Sequence, residues 1–169
     1  VTVSSTTGNL QARAGRSILT STLTGTTNEF VTTGAGTLLL DAGDSIGVAA
    51  NRIDVSVPTI AAVSAGASTA GDIFINQVSG GGALTIGTAT GLDGRANLSG
   101  IVTQANNNDI TVVAQNGSLT LTQAVTAQGS GNVALQAIGA TSDINVNGVT
   151  VSSTTGNLQA RAGRSILTS

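Results

Sequence analysis

The chain of 169 residues has no cysteine, methionine, tryptophan, tyrosine or histidine, and all six of its basic residues are arginine. Each absence removes a class of function. Without cysteine there is neither a disulfide nor thiol chemistry, and the redox compartment leaves no mark. Without histidine, cysteine or lysine, no Ser/His/Asp or Cys/His constellation can be drawn. A transition-metal site lacks its usual ligands for the same reason. Two aromatics, Phe30 and Phe74, are too few for the bulky core of an ordinary globule or for a base-stacking surface. No basic stripe compensates, so nucleic acid is not an expected partner. No apolar run approaches the ~18 residues of a membrane span, so this segment is not expected to insert in a membrane.

What remains is Val, Ile, Leu and Ala set among 23 glycines and many Thr, Ser and Asn. Disordered chains are poor in β-branched apolar residues and usually rich in proline and charge. Here there is one proline, Pro58, and charged residues make up 8%. The strand bias is strong, and ordered β structure is the expectation. The most specific feature is a copy: Val1–Ser21 (VTVSSTTGNLQARAGRSILTS) recurs without substitution as Val149–Ser169. Residues 1–148 therefore read as one complete repeat, and residues 149–169 as the start of the next.

A looser motif recurs inside the long one: a glycine, a small polar residue, then apolar–any–apolar. It begins at Gly8, Gly36, Gly71, Asn108 and Gly131, and Gly156 restarts the period. Five coils per 148-residue repeat follow. Apolar residues alternate in Ile53/Val55/Val57, Leu84/Ile86, Leu119/Leu121 and Ile144/Val146, which places one set on a buried face. The turns between them carry Gly, Asn and Asp, residues that tolerate positive φ. Short strands with short turns allow a sandwich, a barrel or a solenoid. The similar coils and slender side chains favour an all-β solenoid, in which each coil pairs in parallel with its neighbours. Five coils would advance the axis by ~24 Å. The polar residues of the motif, Asn9, Thr37, Asp72, Asp109 and Asn132, are then expected to stack as one row. Mutual repulsion of Asp72 and Asp109 calls for solvent or a cation.

The fragments Gly131–Ala137, Asp143–Val151, Gly156–Gly163, Gly8–Gly15 and Gly36–Gly43 closely resemble the repeat regions of filamentous haemagglutinin-like exoproteins. These are long adhesins of Gram-negative bacteria, secreted by two-partner or autotransporter-type routes. The resemblance covers about half of the chain; residues 48–107 match in composition only. It implies a right-handed parallel β-helix that serves as an extracellular, surface-exposed shaft for adhesion or matrix. Its partners would be adjacent identical repeats, in the same or stacked chains, and host or matrix glycans. The length and identity of the period depart from the family pattern, which leaves room for a purely fibrous role.

Chemical sites are sparse. A solenoid polysaccharide enzyme would draw on Glu29, Asp41, Asp44, Asp54 and Asp93 with Arg52 or Arg95. Such enzymes line a groove with aromatics and bases that this chain lacks, so no enzyme and no cofactor are expected. The calcium-binding nonapeptide array is absent, and Asp41/Asp44 reads as a solvated turn. The residues to watch for surface binding are Asp93 and Arg95, in a loop expected over 87–95, and the pair Arg13 and Arg16, repeated as Arg161 and Arg164. A second loop is expected over 64–71. A glycan- or partner-binding module acting through these loops is the alternative to a purely structural shaft.

Overall fold

The structure is a computed structural model, and it describes residues 1–21, 23–25, 27–66 and 70–169. The chain winds as a parallel β-solenoid. Its first three turns carry β1 (Val3–Ser5) and β2 (Leu10–Ala14), β3 (Phe30–Thr32) and β4 (Thr37–Ala42), and β5 (Ile53–Ser56) and β6 (Thr59–Ser64). The fourth holds β7 (Ile73–Gln77), β8 (Leu84–Ile86), a hairpin of β9 (Thr88–Ala89) and β10 (Leu98–Ser99), and β11 (Ile101–Asn106). The fifth holds β12 (Ile110–Ala114), β13 (Leu119–Leu121) and β14 (Val125–Gln128). The sixth holds β15 (Val133–Ala137), β16 (Ile144–Val146) and β17 (Val151–Ser153), and β18 (Leu158–Ala162) and β19 (Ile166–Thr168) begin a seventh. Among the described residues no helix is long and apolar enough to cross a membrane.

One face is a seven-stranded sheet in the order β1-β3-β5-β7-β12-β15-β18. The other sheet forks at β6. Thr59 and Ile60 pair with Thr85 and Ile86 of β8, whereas Ala62–Ser64 pair with Ile101–Thr103 of β11. Above the fork each turn has two short strands where β2, β4 and β6 had one long strand, so the coil passes from two sides to three. Among the described residues every ladder is parallel except that of β9 with β10.

Stacking in register puts like on like. One row runs Leu10–Leu38–Ile60–Ile86–Leu121–Val146. Another runs Ile46–Ile73–Ile110–Val133–Leu158. Leu38, Ile60, Ile73, Ile86, Ile110 and Leu121 are wholly buried in one continuous core. Each such side chain contributes about 1.5–3 kcal/mol of transfer free energy. The alternating sets read in the sequence, Ile53/Val55/Val57, Leu84/Ile86 and Leu119/Leu121, all point inward.

The turn count is sharper than the motif suggests. Leu10 and its copy Leu158 lie on different faces, separated by five turns and two further faces. The difference arises between Gly36 and Gly71, where the motif has one coil and the chain makes an additional strand, β6. Its corner is turned by Pro58, whose carbonyl accepts from the Thr85 N–H at 2.9 Å. The second copy does continue the stack, β17 on β14, β18 on β15 and β19 on β16. It does not return to the same place around the axis: the run Leu-Gln-Ala-Arg-Ala is in the forked sheet as β2 and in the seven-stranded sheet as β18.

The motif glycines also have another cause than the one expected. Gly8, Gly36, Gly71, Gly131 and Gly156 are not in the positive-φ region. Gly131 is required by close approach, since a Cβ there would lie 2.1 Å from the carbonyl oxygen of Asn108. Asn108 itself is not left-handed either; Asn107 is, with φ 67°. The Asn108 side chain is instead buried, and its Nδ2 donates to the Gly66 carbonyl at 3.2 Å.

Candidate functional site

The polar row expected along the motif is two rows. Asn9 and Thr37 lie on the forked sheet, where Asn9 Oδ1 accepts from Thr37 N–H at 2.9 Å and Oγ1 at 3.1 Å. Asp72, Asp109 and Asn132 lie on the seven-stranded sheet and extend to Asn157. Each Oδ1 accepts from the backbone N–H one turn above: Asp72 from Asp109 at 2.8 Å, Asp109 from Asn132 at 2.7 Å, Asn132 from Asn157 at 2.9 Å. An amide oxygen can accept the same bond, and although a carboxylate accepts it more strongly, burial outweighs that gain at Asp72. Burial raises the Asp72 pKa, the bond from Asp109 N–H opposes this, and the Asp109 carboxylate raises it further. A folded pKa above the ordinary 3.8 favours folding while the carboxyl is protonated and disfavours it as pH rises through the folded value. Asp72→Asn should therefore raise the melting temperature at neutral pH, with the gain vanishing below the ordinary carboxyl pKa. Thermal melts from pH 3 to 8 measure this; a lower melting temperature at pH 7 would count against the ladder.

The repeated arginines take different partners in the two copies. Arg13 Nε donates to Asp41 at 2.6 Å and Arg16 Nε lies 3.5 Å from Asp44, both acids in the turn above. Arg164 instead grips Asp143 in the turn below, with Nε–Oδ1 at 2.8 Å and a second bond from Nη2 to Oδ2. That hydrogen-bonded pair holds the Asp143 carboxyl below its ordinary range. Asp41 and Asp44 are thus the counter-ions of arginines. Glu29 and Asp54 belong to a polar ladder: Glu29 Oε2 accepts from Asp54 N–H at 2.7 Å and Asp54 Oδ1 from Asn76 Nδ2 at 2.6 Å. No group of three or more acidic side chains able to hold a metal occurs among the described residues.

The feature that stands apart from the coil is the hairpin. The loop expected over 87–95 begins it, and a two-residue turn shapes it. Asp93 and Gly94 both have positive φ, 54° and 70°, and Arg95 N–H donates to the Leu92 carbonyl at 3.1 Å. These are the marks of a type I′ turn, which the dipeptide Asp-Gly favours. That dipeptide was the available signal for a hairpin. At the base, Gly100 N–H donates to the Gly87 carbonyl at 2.9 Å, and the coil resumes with Ile101. The hairpin folds back over the outer face of β4 and β6. Ala89 is buried there with Leu39 and Ala61, and Leu98 packs against them. The backbone is anchored by Thr90 N–H to Thr37 Oγ1 at 3.0 Å and Leu92 N–H to Gln11 Oε1 at 2.8 Å. The loop expected over 64–71 includes residues 67–69, which lie outside the described residues; Ser64 ends β6 and its hydroxyl donates to the Gly71 carbonyl.

Between the hairpin and the outer face lies an open cleft of about 280 Å³, lined on one side by Gln11 and Arg13 and on the other by Arg95 and Asn97. Of the four surface-binding candidates, Arg13 and Arg95 meet here. Asp93 is at the turn and outside the lining, and Arg16 is on the corner beyond β2. Sequence reasoning missed Gln11 and Asn97, whose amides carry no signal until the hairpin is folded. No family model, curated protein or solved structure matches this chain.

Proposed function

We propose that this chain is a length of the stiff shaft of a filamentous, secreted bacterial surface protein of the haemagglutinin-like kind, built for adhesion or extracellular matrix. One observation carries the reading: Val149–Ser169, identical to Val1–Ser21, extends the same parallel ladders. A repeat whose end is sequentially and sterically fit for the next repeat is suited to indefinite stacking. The residue-level resemblance of the Gly-Asn-Leu-Gln-Ala fragments to such shafts points the same way. The expected partners are further identical repeats, and the expected place is the cell surface of a Gram-negative bacterium.

Tandem arrays of two, four and eight repeats test this. Five and two-thirds turns at a strand spacing of ~4.8 Å add about 27 Å of length per repeat. Small-angle scattering should give a rod of constant cross-section that grows by that increment. Cryo-electron microscopy should show one hairpin per repeat, each turned by about a third of a revolution from the last. Arrays of constant diameter that fail to lengthen would sink the shaft reading. A binding role is the second reading, favoured by the cleft under the hairpin.

A further inference from the structure

We infer that the cleft between the hairpin and the outer face of β2 and β4 is a binding site for a carboxylated sugar ring. The coil does not need the hairpin. Gly87 and Gly100 meet directly, and the ladder pairs Ile60–Ile86 and Ala62–Ile101 flank the insertion undisturbed. Ordering the residues between those two glycines costs backbone entropy at every one of them, against one small apolar patch. What the insertion creates is a cleft.

The polar groups of that cleft are biased toward donors. Gln11 Oε1 accepts from Leu92 N–H at 2.8 Å, and Asn97 Oδ1 accepts from Gly91 N–H at 3.1 Å. A backbone N–H can only be met by the amide oxygen, so both side-chain orientations are fixed. Their NH2 groups are then left unmatched among the described residues. Arg13 uses Nε on Asp41 at 2.6 Å, and its two terminal nitrogens bond to no described residue. The Arg95 guanidinium has no described partner at all. Two guanidinia and two amide NH2 groups therefore border a space in which the one carboxylate, Asp41, is already paired.

A ligand that satisfies these groups must bring acceptors and negative charge. A planar carboxylate matches the fork of a guanidinium with two parallel bonds. The volume is at the lower edge of the ~300–1,000 Å³ of small-molecule pockets, which suits one ring and not an extended chain. Leu39 and Val63 supply an apolar floor for the face of a pyranose. The chain carries a net charge of −2, so the two arginines are a local exception to its sign. This inference does not depend on the shaft reading, since a single repeat contains the whole cleft.

Methyl glucuronide and methyl glucoside share a ring and differ in the group that should matter, carboxylate against hydroxymethyl. Titrated into the 169-residue chain and followed by ¹H–¹⁵N NMR, the glucuronide should shift the side-chain NH2 signals of Gln11 and Asn97. Its apparent affinity should exceed that of the glucoside about tenfold or more, as charge-assisted hydrogen bonds require. Arg95→Gln, on an exposed hairpin residue without a partner, should remove that preference and leave the rest of the spectrum in place. Arg16→Gln should change nothing. Equal shifts with both sugars, no shift with either, or a preference that survives Arg95→Gln would overturn the assignment. A stronger response to glucose 6-sulfate than to the glucuronide would overturn the carboxylate specificity.

Discussion

Ile110→Ala is expected to lower the stability of the chain by roughly 2–5 kcal/mol, toward the upper end of what such truncations cost. Ile110 has no exposed surface and is stacked between Ile73 and Val133 in an unbroken row. Collapse into the space left behind is what reduces the cost of a cavity, and here it is obstructed. The neighbours in the row are held at strand spacing by parallel ladders on both sides of Ile110, so they cannot close in without breaking hydrogen bonds. The next residue inward along the strand, Val112, is equally buried and equally pinned. A destabilisation below 1 kcal/mol in a denaturant titration would mean that the core rearranges more freely than its ladders allow. The control is Leu167→Ala, at a half-exposed position of the last strand, where a change within about 0.5 kcal/mol is expected. Because each turn contacts only those beside it, amide exchange should accelerate first around Ile73 and Val133 and last in β2.

The same row explains what was legible in the sequence. From Asp72 upward the motif and the structure agree turn by turn: Ile73, Ile110, Val133 and Leu158 share one register. The period-two alternation identified the buried side of each strand, because a narrow coil has only an inside and an outside. Below that point the motif misleads. Leu38 stacks on Ile60 and not on Ile73, and the run Val57-Pro58-Thr59-Ile60 shows no glycine to announce a new coil. The corner there is made by Pro58, a different solution to the same bend. Two-thirds of a turn were thereby hidden, and Asn9 and Thr37 were assigned to the wrong face.

Local sequence also does not choose the face. Leu10–Ala14 and Leu158–Ala162 are the same five residues, and each presents the same alternation to the core. Which sheet they join depends on the length of chain since the last corner and on the strand beneath. Arg16 lies beside Asp44 in the turn above, whereas its copy Arg164 pairs with Asp143 in the turn below. The cleft was half legible. Arg95 and the Asp93–Gly94 turn could be read as an exposed excursion, but its return over β2 is a tertiary contact. Gln11 becomes a site residue only when Leu92 arrives beside it, eighty-one residues later in the chain.

The glycines give the sharpest separation between local and stacked causes. Gly131→Ala is expected to destabilise by about 1–3 kcal/mol or more, although its backbone conformation suits any residue. The added methyl would lie 2.1 Å from the Asn108 carbonyl oxygen in the turn below. That oxygen belongs to a backbone pinned on both sides: the Ile110 N–H bonds upward to the Asn132 carbonyl at 2.8 Å, and the Asp109 N–H downward to Asp72 at 2.8 Å. Relief requires the two turns to separate, which weakens several ladder bonds together. Gly15→Ala is the matched control. Gly15 has an ordinary φ too, and no atom lies within 4 Å of its added methyl. There the substitution only reduces the freedom of the unfolded chain, and a gain of about 0.4–1 kcal/mol is expected. Were positive φ the reason for these glycines, as composition alone suggests, both substitutions would be harmful. Opposite signs in paired denaturant titrations would establish that the corner glycines are set by the turn beneath them, and equal losses would refute it.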